Sequence, residues 1–263
     1  MMLLDPDQVV EEIRPHLTTL PACIAGSVVA SGTYGLPVTS DADIDVFCYT
    51  EQALISCIQK LVDHHFQIDE RNERVWQRWL RYGLSGWHTN SLKLRSPSDS
   101  EVNLVYKTVG RVPMNSLASV LESFDFGLLG RGYDLYTQEW RDMRTFLFPD
   151  YDIEGPLPLM PSKRDGWRSG FISQYNGLRE AGRYAKYHSR GFDLTLVKDD
   201  LVTGYYEIAG YMRYRGDRDR TIQAEIYETI ARKILDDKID ELLQSAKVLP
   251  TLDSLDQILQ AVE

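Results

Sequence analysis

The fold is decided by ACIAGS at residues 22–27 and SDADIDVF at residues 40–47, which a turn-rich stretch joins. The first segment is a short apolar run that ends in Gly-Ser, which predicts a buried strand followed by a turn. The second segment alternates in polarity, which predicts a second strand. Successive side chains of a strand point to opposite faces, so Asp41, Asp43 and Asp45 share one face. The sequence therefore places carboxylates along one face of a strand, near a glycine turn.

The segments around these two strands predict an α/β unit. Apolar residues recur every three or four positions in residues 6–17 and 51–65, which predicts a helix in each range. Alternating polarity predicts two more strands, at residues 91–95 and 102–107, joined by the turn residues SPSDS. Helices that alternate with strands are typical of the α/β class, which is the fold class that we predict.

A proline-rich segment divides the chain. Residues 149–162 hold four of the eleven prolines and interrupt every periodic pattern, so we place a linker there. The sequence thus predicts a first domain over residues 1–148 and a second over residues 163–263. The second domain is predicted to be helical, because its apolar residues have helical spacing. The predicted helices span residues 162–189, 199–214 and 219–246.

The composition is that of an ordinary globular protein. Hydrophobic residues make up 43% and charged residues 26%, which argues against disorder and against a disulfide scaffold. The net charge of −10 argues against a protein that coats nucleic acid through its overall charge. The chain contains no apolar run of the roughly 20 residues that a membrane helix needs, and its first residues are acidic where a signal peptide is basic. We therefore expect a cytoplasmic protein with no membrane partner, whose three cysteines are buried, reduced thiols.

The aligned carboxylates predict a cation site. Carboxylates two positions apart on a strand lie about 6–7 Å from each other and repel unless a cation lies between them. Mg²⁺ suits such a pair, because it binds a few carboxylates together with the phosphate oxygens of a substrate. Gly26 and Ser27 open a turn where the backbone can approach phosphates closely. The alternative is a solvated edge strand whose acidic residues face water.

These residues resemble the signature of a known superfamily. The order Gly-Ser, a glycine-containing turn and then Ser-Asp-x-Asp-x-Asp is similar to that of the polymerase β-like nucleotidyltransferases. Later segments (SLKLRS, EVNLVYK, ESFDFGLL and KYHSRGF) resemble those of predicted nucleotidyltransferases in large DNA viruses and phages, and the resemblance covers about residues 22–195. It implies a nucleotidyltransferase-type mixed sheet with helices, followed by a helical C-terminal domain. It also implies Mg²⁺-dependent transfer of a nucleoside monophosphate from an NTP to an acceptor hydroxyl of RNA or tRNA, a protein or a small molecule, with release of pyrophosphate.

The resemblance implies two metal-binding carboxylates on one strand and a third on a neighbouring strand. Asp43 and Asp45 are the predicted Mg²⁺ ligands and catalytic carboxylates, because the alternation continues cleanly after them into an apolar strand end. Asp41 with Asp43 is the alternative register, which the shorter gap after Ser27 favours. Gly26 and Ser27 are predicted to bind the phosphates of the nucleotide.

The third carboxylate departs from the pattern of the superfamily. The strand EVNLVYK carries Asn103 where the resemblance implies aspartate, and a neutral amide neither binds a metal strongly nor accepts a proton. Glu101 lies two residues earlier on the same strand face and is the predicted catalytic replacement, which takes the proton from the acceptor. One alternative is that Glu101 is a surface residue at the exit of a turn. Asp125 in ESFDFGLL is another candidate for the third carboxylate, although an acid between two phenylalanines more often caps or anchors a turn.

A basic stripe is predicted in the second domain. Its residues are Arg179, Arg183, Lys186 and Arg190. Their spacing of four, three and four places them on one face of a helix. Lys186 and Arg190 fall in a segment that resembles the viral proteins, so we predict that they contact the phosphates of the nucleotide. The alternative is that the stripe forms ion pairs with the end of the chain, where 11 acidic residues stand beside 6 basic ones from Asp217 to Glu263.

Two hypotheses from other classes compete with an enzyme. Because Asn103 replaces a carboxylate, the chain can be a catalytically degenerate nucleotide-binding or interaction protein. A structural component of a virus or phage is the third interpretation, and it predicts no affinity for nucleotides. Mg²⁺-dependent release of pyrophosphate distinguishes the enzyme from both.

Overall fold

The structure of the chain is a computed structural model that describes residues 6–38, 42–82, 90–109, 112–161, 174–215, 218–248 and 254–262. It divides into two compact units. The first unit comprises Met1–Phe124 and Leu128–Phe146, and the second comprises Asp125–Gly127 and Leu147–Glu263. The chain leaves the first unit for the last time after Phe146, close to the predicted end of the first domain at residue 148. None of the described helices is both long enough and apolar enough to cross a membrane.

The first unit is a mixed sheet with helices. Its helices are α1 (Pro6–Leu17), α2 (Ser27–Thr33), α3 (Glu51–Asp63), α4 (Glu70–Tyr82) and α5 (Leu117–Glu122), and α6 (Arg144–Leu147) lies where it ends. Its strands are β1 (Ala22–Ala25), β2 (Asp43–Cys48), β3 (Gln67–Ile68), β4 (Asn90–Arg95), β5 (Glu101–Tyr106), β6 (Thr108–Val109), β7 (Val112–Pro113), β8 (Arg131–Asp134) and β9 (Glu139–Asp142). Within the described ranges, seven strands form one sheet in the order β3-β4-β5-β2-β1-β8-β9, and β6 pairs with β7. The predicted α/β class is thus confirmed.

Sequence and structure agree closely around the central strands. The helix α1 and the strand β1 have the predicted bounds. The strand β2 is described from Asp43 onward, and Asp41 lies outside the described residues. The helix α3 ends at Asp63, two residues earlier than predicted, because the chain turns there and His65 has a positive φ of 69°. The strands β4 and β5 each begin one residue before the predicted strand.

One face of the sheet is apolar and packs against helices. Alternate residues of the central strands share a core cluster with residues of α1 and α3 and with Trp79 of α4. These strand residues are Ile44, Val46, Leu92, Leu94, Val102 and Leu104. Because side chains alternate along a strand, the residues between them point to the opposite face of the sheet. Burial of the apolar residues therefore fixes the direction of the polar ones.

The second unit is helical. Its helices are α7 (Gln174–Ser189), α8 (Thr195–Arg215), α9 (Arg218–Leu235), α10 (Ile239–Val248) and α11 (Leu255–Val262). Three fully buried tyrosines contribute to its core, namely Tyr184, Tyr205 and Tyr227. Burial raises the pKa of Tyr184 to about 12, so its side chain is a neutral phenol at physiological pH.

The prediction of one helix over residues 219–246 is wrong. The structure has two helices there, with a turn of three residues between the end of α9 at Leu235 and the start of α10 at Ile239. Asp237 in this turn has a positive φ of 54°, and the N–H of Lys238 donates to the carbonyl of Lys233 over 2.9 Å. A residue in the left-handed region followed by such a backward hydrogen bond ends a helix.

The proline-rich segment packs within the second unit. Leu159 forms an isolated antiparallel bridge with Phe126, whose ring lies 5.4 Å from the ring of Tyr187 in α7. Asp125 is buried and forms an ion pair with Arg183 of the same helix. The side chains of Asp125 and Phe126 therefore attach residues 125–127 to α7, and the backbone bridge to Leu159 joins the proline-rich segment to them.

The cysteines are buried free thiols, as predicted. Cys23, Cys48 and Cys57 all lie in the core of the first unit. Burial raises the pKa of Cys23 to about 12, so this thiol stays protonated at neutral pH. A protonated buried thiol is neither a nucleophile nor a metal ligand.

Candidate functional site

Polar side chains of three adjacent strands meet on the face of the sheet opposite the apolar core. The strands β2 and β5 are parallel, with Asp43 opposite Glu101 and Asp45 opposite Asn103. The strands β4 and β5 are antiparallel, which places Lys93 opposite Asn103. We call these five residues the polar cluster. The side chains of Asp43, Glu101 and Lys93 are 19%, 30% and 42% exposed, so a ligand can reach them from solvent.

Gly26 lies directly against the Asp45 carboxylate. It follows β1, whose last residue Ala25 is opposite Asp45 in the sheet. Gly26 has a φ of 98° and a ψ of −155°, a conformation that essentially only glycine adopts. A Cβ atom at this position would lie 2.8 Å from Oδ2 of Asp45. Both the backbone conformation and the contact therefore require glycine beside this carboxylate.

Replacing Gly26 with alanine is expected to lower the free energy of unfolding by about 3 kcal/mol, because the strained backbone and the overlap with Asp45 add together. Gly35→Ala is the matched control, since Gly35 has a φ of 63° but a Cβ atom there would meet nothing within 4 Å. That control is expected to cost only about 1 kcal/mol. Urea unfolding of both variants measures the difference. Equal losses in the two variants would show that the contact with Asp45 contributes nothing.

Asn103 orients the Asp45 carboxylate. Its Nδ2 donates to Oδ1 of Asp45 over 2.8 Å. Its own Oδ1 is buried and accepts no hydrogen bond from any described residue. A buried acceptor without a donor costs free energy, so a cation or an external donor at this oxygen is stabilising. Asn103 thus fixes the orientation of one carboxylate, and its own Oδ1 has no donor among the described residues.

Lys93 brings a cation into the polar cluster. Its ammonium lies 3.6 Å from Oδ2 of Asp43 and forms an ion pair with Oε1 of Glu101. Burial by itself lowers the pKa of Lys93, but the Glu101 and Asp43 carboxylates outweigh it, so the pKa is raised overall. Lys93 is therefore cationic at neutral pH. The cluster holds three carboxylates and this one ammonium, so it stays negative as a whole.

The oxygen donors of the cluster fit a Mg²⁺ ion that takes its remaining ligands from substrate and water. Asp43 and Asp45 offer carboxylates from one strand, and Asn103 offers a neutral oxygen from the next. Among the described residues, no group of three or more histidine, cysteine, aspartate or glutamate side chains is arranged to hold a metal. Mg²⁺ is commonly held by one or two carboxylates together with substrate phosphates, and it rarely has an all-protein cage. The donor set suits that ion better than one that needs several protein ligands.

The predicted site residues fall in both units. The first unit brings together Gly26, Asp43, Asp45 and Glu101, and Ser27 follows Gly26 as the first residue of α2. Ser27 is only 4% exposed. The other predicted nucleotide-binding residues, Lys186 and Arg190, belong to the second unit, as does Asp125. Asp125 anchors its segment through an ion pair with Arg183. This contact agrees with the alternative interpretation, in which Asp125 anchors a turn.

The basic stripe differs from its prediction in two respects. Arg190 lies beyond the end of α7 at Ser189, so the helix carries only the other three basic residues of the stripe. The chain turns after Ser189 because Gly191 has a φ of 87°. Arg183 pairs with Asp125, where the sequence suggested acidic partners near the end of the chain. Arg179 is exposed on the same helix.

Sequence reasoning missed the part that Lys93 plays in the cluster. Strand alternation in SLKLR places Lys93 on the polar face, which was a usable signal. Its closeness to Asp43 depends on the order β4-β5-β2, in which β5 pairs with β2 although the partners Asn103 and Asp45 lie 58 residues apart in the chain. No local pattern reports that order.

No model of a protein family matches this chain, and no curated protein matches it either. The function must therefore be argued from the polar cluster and from Gly26.

Proposed function

We propose that the chain is a Mg²⁺-dependent nucleotidyltransferase of the polymerase β-like type. In this proposal it transfers a nucleoside monophosphate from an NTP to an acceptor hydroxyl and releases pyrophosphate. The observation that carries the proposal is the pair Asp43 and Asp45 on one face of a central strand, with Gly26 against the second carboxylate. The mixed sheet supports it further, because it places a third acidic residue, Glu101, on the adjacent parallel strand.

Four residues of the polar cluster, together with Gly26, have a role in the proposed reaction. Asp43 and Asp45 would hold Mg²⁺, which supplies positive charge to the phosphates as negative charge develops in an in-line displacement. Asn103 keeps the Asp45 carboxylate in a fixed orientation through its hydrogen bond. Gly26 has no side chain, which leaves room for the Asp45 carboxylate against its backbone, and Gly26 remains a predicted contact of the nucleotide phosphates. Glu101 accepts the proton of the acceptor hydroxyl.

Lys186 and Arg190 remain predicted contacts of the nucleotide phosphates, and Ser27 remains a predicted contact in the first unit. RNA or tRNA remains one of the acceptor classes, beside a protein side chain and a small molecule. The acidic net charge of −10 means that an RNA acceptor requires a local basic surface.

Release of pyrophosphate is the direct test. The full chain is incubated with Mg²⁺ and each NTP in turn, with total RNA, a protein extract or no acceptor added, and pyrophosphate is measured. We expect release with at least one NTP and its loss when EDTA removes the metal. The absence of release under all these conditions would contradict the proposed activity.

Glu101→Gln is expected to lower kcat about a hundredfold while KM for the NTP changes by no more than about twofold, because a proton acceptor acts mainly in the transition state. Steady-state kinetics at saturating Mg²⁺ measures both constants. Glu139→Gln is the matched control, since Glu139 is an exposed glutamate on the edge strand β9. If Glu101→Gln behaves like this control, Glu101 is a surface residue and takes no part in the chemistry.

A catalytically degenerate nucleotide-binding protein is the second candidate. Asn103 favours it, because its amide donates a hydrogen bond to Asp45 at the position where the resemblance implies a third carboxylate. This candidate predicts Mg²⁺-dependent binding of an NTP, measured by calorimetry, without any release of pyrophosphate. Binding and turnover assays on the same preparation separate the two functions.

A further inference from the structure

Lys93 reaches the polar cluster from two strands away. It lies on β4, whereas Asp43 lies on β2, and β5 runs between these strands. Neighbouring strands are about 4.8 Å apart, so the lysine side chain must extend across β5 to come within 3.6 Å of Oδ2 of Asp43. A surface lysine with no specific partner would extend into water, because its ammonium is strongly hydrated. The position of Lys93 is therefore specific to the two carboxylates that it contacts.

The ammonium lies where two like charges face each other. Asp43 and Glu101 are directly opposite in the parallel pair of β2 and β5, and carboxylates so placed repel. Lys93 contacts both of them, and Asp43 is the less exposed of the two at 19%. A cation at this position is needed to offset the repulsion, and the chain itself supplies it.

The other side of the cluster is unsuited to an additional cation. A second metal ion beside Asp45 would need a carboxylate from β5, and the residue opposite Asp45 there is Asn103. Its Nδ2 points its hydrogens at Oδ1 of Asp45. These hydrogens carry partial positive charge and occupy the direction from which a second ion would approach that oxygen.

We propose that the Lys93 ammonium takes the place of a second cation between Asp43 and Glu101, so that the cluster binds a single divalent ion. This inference rests on the proposed function. It makes Lys93 a positioning residue, which holds Asp43 and Glu101 in the arrangement that a second metal ion, about 3.5–4 Å from the first, would otherwise impose. In this arrangement Glu101 contacts the Lys93 ammonium and does not bind a metal ion.

The number of bound ions tests the inference without relying on activity. Mn²⁺ replaces Mg²⁺, and electron paramagnetic resonance counts the ions bound to the full chain in the presence of a non-hydrolysable NTP analogue. Ions that remain bound to the double variant Asp43→Asn/Asp45→Asn are subtracted. The wild type is expected to bind one ion by this measure, and Lys93→Met is expected to bind two, because the vacated position between two carboxylates accepts a second ion.

Two further variants serve as controls. Lys93→Arg keeps the positive charge and is expected to bind one ion. Arg95 is the next basic residue on the same face of β4, and it pairs with the exposed Asp99. The Arg95→Met variant is also expected to bind one ion. Thermal unfolding gives a second measure, in which saturating Mn²⁺ raises the Tm of Lys93→Met by several degrees more than the Tm of the wild type.

The outcomes separate this inference from the proposed function. Two ions in the wild type, or one ion in a folded Lys93→Met variant with the wild-type Tm response, would overturn the role of Lys93 while leaving a nucleotidyltransferase in place. No ion that depends on Asp43 and Asp45 would overturn the proposed function and this inference together. One ion in the wild type and in both controls, with two in Lys93→Met, would support it.

Discussion

Asp43→Asn and Asp45→Asn are each expected to lower the rate of nucleotidyl transfer at least about a hundredfold, which corresponds to about 2.7 kcal/mol in the transition state. An amide is a far weaker ligand of Mg²⁺ than a carboxylate, so an ion held by both residues, as proposed, would be lost or displaced. The fold should persist. An asparagine at position 45 still offers a carbonyl oxygen to Nδ2 of Asn103, and Lys93 still pairs with Glu101 when Asp43 is replaced. Pyrophosphate release measures the rate, and thermal unfolding checks the fold.

Asp99→Asn is the matched control for this pair. Asp99 is 80% exposed and pairs with Arg95 on the same sheet, so it shares the charge and the chemistry but not the position. It is expected to retain the wild-type rate. Full activity of both cluster variants would contradict a metal site at Asp43 and Asp45. An inactive Asp41→Asn with a normal Asp45→Asn would show that the alternative register, in which Asp41 and Asp43 bind the metal, is the right one.

Asn103→Asp is expected to destabilise the protein by about 2 kcal/mol when EDTA is present, because it replaces a hydrogen bond by two facing carboxylates. Divalent ions should reverse this loss, since a third carboxylate beside Asp45 creates a stronger cation site. Urea unfolding in EDTA and in Mn²⁺ measures both effects. An equal loss of stability under the two conditions would show that position 103 does not face a cation site.

The double variant Asn103→Asp/Asp45→Asn exchanges the acid and the amide. It keeps one carboxylate and one amide in the pair, so the hydrogen bond can re-form with the donor on β2. Stability in EDTA should therefore return close to the wild-type value. Failure to recover would mean that the loss in Asn103→Asp comes from the surroundings of residue 103 and not from repulsion by Asp45.

Local patterns in the sequence are sufficient to predict α1, β1 and the strands around Asp43. The helix and the other strands bury one face with a clean apolar period, and β1 is a continuous apolar run that is buried throughout. The same reasoning fails where periodicity continues across a turn. Between Leu235 and Ile239 the apolar spacing runs on, and only the positive φ of Asp237 ends the helix. Periodicity records which face is buried, and it does not record where the backbone changes direction.

The candidate site is predictable in part for a different reason. Asp43 and Asp45 share a face by alternation alone, and their closeness to Glu101 follows once β2 and β5 are neighbours. The hydrogen bond from Asn103 and the ion pairs of Lys93 depend on strand order and register. These arise from pairing between distant segments, which a single sequence does not reveal.

The short excursion of residues 125–127 into the second unit has a consequence for any attempt to produce the two halves separately. Phe126 is fully buried and depends on Leu159 and Tyr187, both of which lie after residue 148. A fragment truncated there would keep Phe126 and Asp125 but lose Leu159, Tyr187 and Arg183. The loss exposes an apolar ring and removes an ion pair from a buried acid. A fragment that ends at residue 148 is therefore not self-contained. During synthesis, residues 125–127 can reach their native partners only after α7 has left the ribosome.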